Sequence, residues 1–141
     1  MNSVTVTKRF EFDAAHRLYQ HEGACRHVHG HHYVVEVEVA GPSLNYLGML
    51  IDFGELKQRV GDWIQEHWDH ATLLNNADTV LFEALEEMNS TLYLFDGNPT
   101  AEKMAVELFT QVRELLKHTP VVPRRVRVWE TPDSFAEYRE G

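Results

Sequence analysis

Two stretches near the start of the chain alternate between apolar and polar residues. In the first, Val4, Val6, Phe10, Phe12 and Ala14 share one parity, broken only by Lys8; in the second, Tyr33, Val35, Val37 and Val39 do, with Glu36 and Glu38 on the other. A period of two is that of a strand with one buried face, which predicts strands over 3–16 and 31–40, the second ended by Gly41-Pro42-Ser43. The period then lengthens. Leu56, Val60, Trp63, Ile64 and His67 recur at helical spacing, as do Met104, Leu108, Val112 and Leu115, flanked by Ala105, Phe109 and Leu116. Both stripes read as faces turned to a core. Asp52 with Glu55 opens the first helix as an acidic capping box, and Asn98 caps the second with Pro99 at its first position, where a missing N–H costs nothing. Residues 124–130 alternate again, with Val126, Val128 and Glu130 on the apolar parity, and 134–140 follow as a polar strand near an edge. Between the helices, 78–88 reads as a short acidic helix and 91–95 as a short extended segment, both surface structure without obvious chemistry. The order predicts an α+β fold: a four-stranded antiparallel sheet with two long helices on one face. Its open edges would be removed if copies paired into a closed barrel, so an oligomer is expected.

The strand parities carry the chemistry. His16 continues the buried parity of the first strand, and His29 and His31 stand on that of the second, whereas His32 points the other way with Glu36 and Glu38. An antiparallel pair joined by the polar loop 17–28 brings the three imidazoles to one point. A lone histidine on an apolar face is usually a satisfied core residue, but three that converge would each need a buried partner of their own. Three neutral imidazoles are ligands for a borderline metal, zinc first, with a fourth position left open. Cys25 lies in the loop four residues before His29. Two readings stand for it: a fourth ligand that closes a structural site, or a free thiol whose thiolate a nearby cation favours. Glu130 ends its row of inward residues, and a buried carboxylate needs a partner. That partner is either an arginine or a ligand with two parallel N–H donors. Asp69-His70 is a weak acid–base signal alone, because sequence neighbours often point apart.

Composition sets bounds. A chain of 141 residues with 43% hydrophobic content reads as one globular domain over 1–141. A formal net charge of −9 argues against nucleic acid as partner. No signal-type segment and no apolar run long enough for a membrane is seen, and a single cysteine excludes an internal disulfide, so a reducing cytoplasm is expected. Arg17 and Arg26, both in the histidine loop, are candidates for an anionic small molecule, with solvated surface arginines as the alternative.

Phe12-Asp13-Ala14-Ala15-His16, the spacing CxxxHGH over 25–31, Ile51-Asp52-Phe53, Asp69-His70 with Leu74-Asn75, Asn98-Pro99-Thr100-Ala101-Glu102 and Glu130-Thr131 together resemble the 6-pyruvoyl-tetrahydropterin synthase family over nearly the whole chain. Within it, the short gap between the cysteine and HGH is similar to the 6-carboxy-5,6,7,8-tetrahydropterin synthases of queuosine biosynthesis. The resemblance implies a tunnelling fold (T-fold) in which trimers close a barrel and stack as a hexamer, with active sites between subunits. It implies Zn2+ on His16, His29 and His31, Cys25 as catalytic base with Asp69 and His70 as its partners, and Glu130, beside Thr131, as anchor of the pterin ring. The implied substrate is 7,8-dihydroneopterin triphosphate, with 6-carboxytetrahydropterin, acetaldehyde and triphosphate as products. A pyruvoyl synthase, and a non-catalytic pterin-binding or structural zinc protein with Cys25 as a ligand, are the alternatives.

Overall fold

The computed structural model describes residues 3–141. Strand β1 (Thr5–His16) pairs antiparallel with β2 (His29–Ala40), in unbroken register from Thr5 opposite Ala40 to His16 opposite His29. Helix α1 follows, built from Phe53–Leu56 and Asp62–His67 with a π turn, Lys57–Gly61, between them. Then come β3 (Thr72–Asn75), helix α2 (Thr79–Glu87), β4 (Leu92–Phe95), helix α3 (Ala101–Leu115), β5 (Val122–Thr131) and β6 (Ser134–Arg139). The sheet order is β4-β3-β1-β2-β5-β6.

This corrects the expected four antiparallel strands. Six strands form a mixed sheet: β2, β5 and β6 continue antiparallel from β1, while β3 runs parallel to β1 and β4 parallel to β3; the short acidic helix expected over 78–88 is present as α2. The reason β3 escapes an alternation test is that Thr72, Leu73 and Leu74 are buried in succession, so it shows no polar face. The segment 91–95, expected at the surface, is paired into the sheet through β4.

One face of the sheet carries the core. Phe12, Tyr33, Val35, Val37, Val126 and Val128 pack with Leu56, Val60 and Ile64 of α1 and with Met104, Leu108, Phe109 and Val112 of α3, so the two apolar stripes do face a common interior. The other face is polar. Arg125 donates from Nε to Glu38 at 2.9 Å, and the indole N–H of Trp129 donates to Glu36 at 2.6 Å. Gly41 ends β2 where an added Cβ would stand 2.8 Å from the Pro120 carbonyl oxygen.

The helix caps follow the physics of orphan N–H groups with one displacement. Asp52 accepts from the Gly54 N–H at 2.7 Å, as expected of the cap, but Glu55 turns to Arg59 at 2.8 Å and does not complete a box. At α3 the cap is Thr100, whose hydroxyl accepts from the Lys103 N–H at 3.2 Å, two residues later than predicted. Asn98 is not free to cap, because its side chain is committed to the loop after β1.

The core assignment makes a local test on α3. Leu108 is 0% exposed and Val106 43%, so Leu108→Ala is expected to lower unfolding free energy by about 2–5 kcal/mol. Val106→Ala should stay within about 0.5 kcal/mol. Urea unfolding measures both; equal effects would contradict the assigned buried face.

Candidate metal centre

His16, His29 and His31 meet on the core side of the sheet, at the ends of β1 and β2. Because His16 pairs directly with His29, and His31 stands opposite Ala14, all three rings project from the same face. Ring centroids are 4.7 Å (16 to 29), 5.1 Å (16 to 31) and 4.8 Å (29 to 31) apart. One ligand nitrogen from each lies within 4.8 Å of the others. His16 is 2% exposed; the other two are half-buried.

Two of the rings have their tautomer fixed from outside. His16 donates from Nδ1 to the Pro99 carbonyl at 2.9 Å, with the Tyr33 hydroxyl 3.3 Å from the same nitrogen, and His29 donates from Nδ1 to the His27 carbonyl at 2.7 Å. Each therefore keeps its Nε2 lone pair for the shared centre. Burial pushes the His16 and His31 pKa values down, against the Pro99 carbonyl and then Glu130 at His16 and against Glu130 at His31, which favours the neutral form that a metal ligand needs. Among the described residues this nitrogen donor set fits zinc or a similar borderline ion, with fewer than four protein nitrogens.

Glu130 lies at the rim of this group. Its Oε1 is 3.5 Å from His16 Nε2 and 3.8 Å from His31 Nε2, and its side chain is 32% exposed. The inward carboxylate thus faces imidazoles and not an arginine. A cavity of about 650 Å³ opens mainly on the polar face of the sheet, along Glu11, His32, Glu36 and Trp129, and reaches His31, Glu130 and Thr131 at the strand ends. The Thr131 hydroxyl donates to Asp133 at 2.8 Å.

Cys25 sits half-buried as a free thiol in a 3-10 turn, Ala24–Arg26, and belongs to neither cluster of ligand atoms. Asp69 and His70 do form a pair, with Asp69 Oδ2 3.0 Å from His70 Nδ1. The pair is clamped to β1 at Asp13: the Asp13 N–H donates to Asp69 Oδ1 at 3.1 Å and the His70 N–H to the Asp13 carbonyl at 2.6 Å. His70 adopts a left-handed backbone, φ 60°, and its side chain is exposed. Within the chain, then, the structure gathers the three histidines and pairs Asp69 with His70, but leaves Cys25 apart from that pair.

The arginines have different surroundings. Arg17 grips Asp78 with Nε to Oδ2 at 2.6 Å and Nη2 to Oδ1 at 2.5 Å, and Asp78 is 1% exposed. The short acidic helix expected at the surface therefore starts on a buried carboxylate, and that neighbour holds Asp78 below the usual carboxylate range. Arg26 is exposed and donates from Nη1 to the Glu22 and Gly23 carbonyls, each at 3.3 Å. Asn98 ties down the same loop: its Oδ1 accepts from the Tyr19 N–H at 2.8 Å and from Asn75 at 3.0 Å, and its amide donates to the Tyr19 carbonyl at 3.2 Å. Sequence reasoning missed Asp78, Asn98 and Pro99 as parts of the site. A backbone carbonyl leaves no sequence signal, but Tyr33 shares the parity of His29 and His31 and was findable there.

Fold and site together are those of a T-fold protein with a three-histidine centre at its strand ends. The chain belongs to the 6-pyruvoyl tetrahydropterin synthase family, whose profile matches residues 5–141. It is 33% identical over 136 residues to a 6-carboxy-5,6,7,8-tetrahydropterin synthase of Rickettsia bellii, covering 95% of this chain and 99% of that protein. To the enzyme of that name from Haemophilus influenzae it is 36% identical over 142 residues, covering 96% and 98%. The 6-pyruvoyl tetrahydropterin synthase structure of Caenorhabditis elegans superposes with a TM-score of 0.73 at 25% identity, covering 100% of this chain and 98% of that one. No helix among the described residues is long and apolar enough to cross a membrane.

The lowered pKa values set a pH dependence for the metal-free protein. A histidine whose folded pKa lies below its unfolded value of about 6.5 binds its proton more readily when unfolded, so its contribution is complete above that value and is lost as pH falls below it. His32, raised by its hydrogen bonds to Glu11 and Asp13, works in the opposite sense and loses its contribution as pH rises through its folded pKa. Chemical denaturation across this range should show stability falling on the acid side, less steeply in His16→Gln and more steeply in His32→Gln. A slope unchanged in His16→Gln would contradict the buried neutral ring.

Proposed function

We propose that the protein is a zinc-dependent lyase converting 7,8-dihydroneopterin triphosphate to 6-carboxy-5,6,7,8-tetrahydropterin, with release of acetaldehyde and triphosphate, in queuosine biosynthesis. The observation that carries this reading is the convergence of His16, His29 and His31 with two Nε2 lone pairs fixed inward, beside a carboxylate and a cavity. Support for the carboxy product comes from relatives of that name matched along almost their full length and from the CxxxHGH spacing.

His16, His29 and His31 would hold the zinc, which would supply Lewis acidity to the oxygens of the substrate's side chain and so acidify the adjoining C–H. Glu130 accepts the two parallel N–H donors of the amino-pyrimidinone edge and so fixes the ring against the cavity wall near Thr131. Cys25, as thiolate, takes the proton of that acidified C–H, and His70, oriented by Asp69, passes protons onward. Cys25 stands apart from Asp69-His70 within one protomer, so the working site joins Cys25 of one subunit to the pair of the next. That requirement, with the open edges of β4 and β6, favours a barrel closed by three copies and a homohexamer of two such trimers. Arg26 and the Nη1 end of Arg17, whose other nitrogens hold Asp78, would meet the triphosphate. The whole protein would act as one domain, in the cytoplasm.

A pyruvoyl synthase shares the site and would release triphosphate without acetaldehyde; the likeness to the nematode structure keeps it as second reading. The structural-zinc reading needs Cys25 among the ligands, and Cys25 lies outside the cluster.

Incubating the purified zinc-loaded protein with 7,8-dihydroneopterin triphosphate and assaying acetaldehyde is the test. Acetaldehyde in step with triphosphate supports the proposal; triphosphate alone points to the pyruvoyl reaction; neither product removes both. Cys25→Ala is expected to lower kcat by about 10²–10⁴-fold. The Arg17→Ala, Arg26→Ala double variant should raise KM chiefly, and an unchanged KM would remove both arginines from triphosphate binding.

A further inference from the structure

The loop between β1 and β2 is held from outside at two neighbouring points. Asp78, at the start of α2, has a side chain only 1% exposed, and both of its oxygens are used. Its Oδ2 accepts from Arg17 Nε at 2.6 Å, and its Oδ1 accepts from Arg17 Nη2 at 2.5 Å and from the Leu81 N–H at 3.4 Å. Two residues on, Tyr19 is gripped by its backbone alone. Its N–H donates to Asn98 Oδ1 at 2.8 Å, its carbonyl accepts from Asn98 Nδ2 at 3.2 Å, and Asn75 Nδ2 donates to the same Oδ1 at 3.0 Å.

The residue between those points explains them. Leu18, flanked by Arg17 and Tyr19, donates its N–H to the Cys25 carbonyl at 2.8 Å, and its own carbonyl accepts from the His21 N–H at 3.1 Å. The N–H groups of Arg26 and His27, by contrast, donate within the loop, to the Gly23 and Ala24 carbonyls. Leu18 thus passes two outside anchors to the half-buried thiol. Burying a carboxylate for one loop arginine is costly unless the pairing is good, and two parallel charge-assisted bonds add a fixed orientation that a single bond lacks. The guanidinium can neither swing nor slide, so the backbone behind it is fixed as well.

We propose that Asp78 is a positioning residue for Cys25: acting through Arg17 and Leu18, with Asn98 as the second anchor, it fixes where the thiol stands. This rests on the reading of Cys25 as catalytic base given under Proposed function. A base must stand within hydrogen-bond reach of the proton it takes, and a displacement of about 1 Å is enough to cost about 10²-fold in rate. The start of α2, which touches no substrate in this account, therefore enters the chemistry through the place it gives to sulfur.

The test uses the full-length, zinc-loaded protein and its single cysteine. Labelling of native protein by iodoacetamide at about pH 10, above the ordinary thiol pKa of about 8.5, reads access to sulfur and not its ionisation. The second readout is kcat at saturating 7,8-dihydroneopterin triphosphate, where weakened phosphate contacts at Arg17 do not enter. Asp78→Ala is expected to label severalfold faster than wild type and to lose about 10²-fold in kcat. Asp78→Asn, which keeps an oxygen for Arg17 but not the charge, should fall between them, and Asn98→Ala should repeat the effect should Asp78→Ala fail to fold. Leu108→Ala controls for lost stability: it weakens the core far from the loop and should label and turn over as wild type does. Unchanged labelling or unchanged kcat in the anchor variants, or an equal change in Leu108→Ala, would overturn the proposal and leave Asp78 a structural ion pair. Wild type that forms neither acetaldehyde nor triphosphate would remove the catalytic reading by itself, while labelling still reports whether Asp78 places the thiol.

Discussion

The structure depends on one hydrogen-bonded register. β1 and β2 pair without interruption over their whole length and close on His16 opposite His29. That register alone puts three imidazoles on one face at one end of a two-strand ribbon. A slip of one residue would send His16 and its partners to opposite faces, and the apolar side chains below them forbid it. Phe12 stacks on Tyr33 with centroids 5.2 Å apart, and Tyr33 reaches up to His16. The same packing that buries the core therefore aligns the site, and the carbonyls of Pro99 and His27 finish the alignment by choosing which nitrogen of each ring faces inward.

The stretch between α1 and α3 serves this arrangement. Its two strands extend the sheet from the free edge of β1, and its buried Asp78 and the following Asn98 hold the loop that carries Cys25. An unpaired Asp78 at that depth would be expensive, and Arg17 gives it two charge-assisted bonds. Asp13 makes a second link: its backbone clamps Asp69 and His70 on one face of β1 while His16, three residues on, serves the other. One strand thus fixes the three histidines and the Asp69–His70 pair relative to one another.

How much of this was legible in the sequence follows from what leaves a periodic trace. The alternation from Val4 to His16 and from His29 to Val39 gave the two strands, their facing sides and the convergence of the histidines, because a strand parity is a geometric statement. The stripes of α1 and α3 gave the helices for the same reason. β3 left no trace, since Leu73 and Leu74 are both buried and a four-residue buried strand has no period. Asp78 read as an ordinary surface acid, because burial of a charge depends on a partner sixty-one positions away. The cap of α3 fell on Thr100 and not Asn98, because Asn98 is held by Tyr19, a contact no local rule contains. The inward aim of Glu130 was legible from parity; that it faces imidazoles and not an arginine was not, because those contacts join residues far apart in sequence.

Zinc K-edge X-ray absorption of the zinc-loaded, substrate-free protein tests the central claim most directly. The account predicts a four-coordinate shell of nitrogen and oxygen at about 2.0–2.1 Å with the outer-shell scattering of three imidazoles. A sulfur scatterer at about 2.3 Å, or a shell with fewer than three imidazoles, would contradict it.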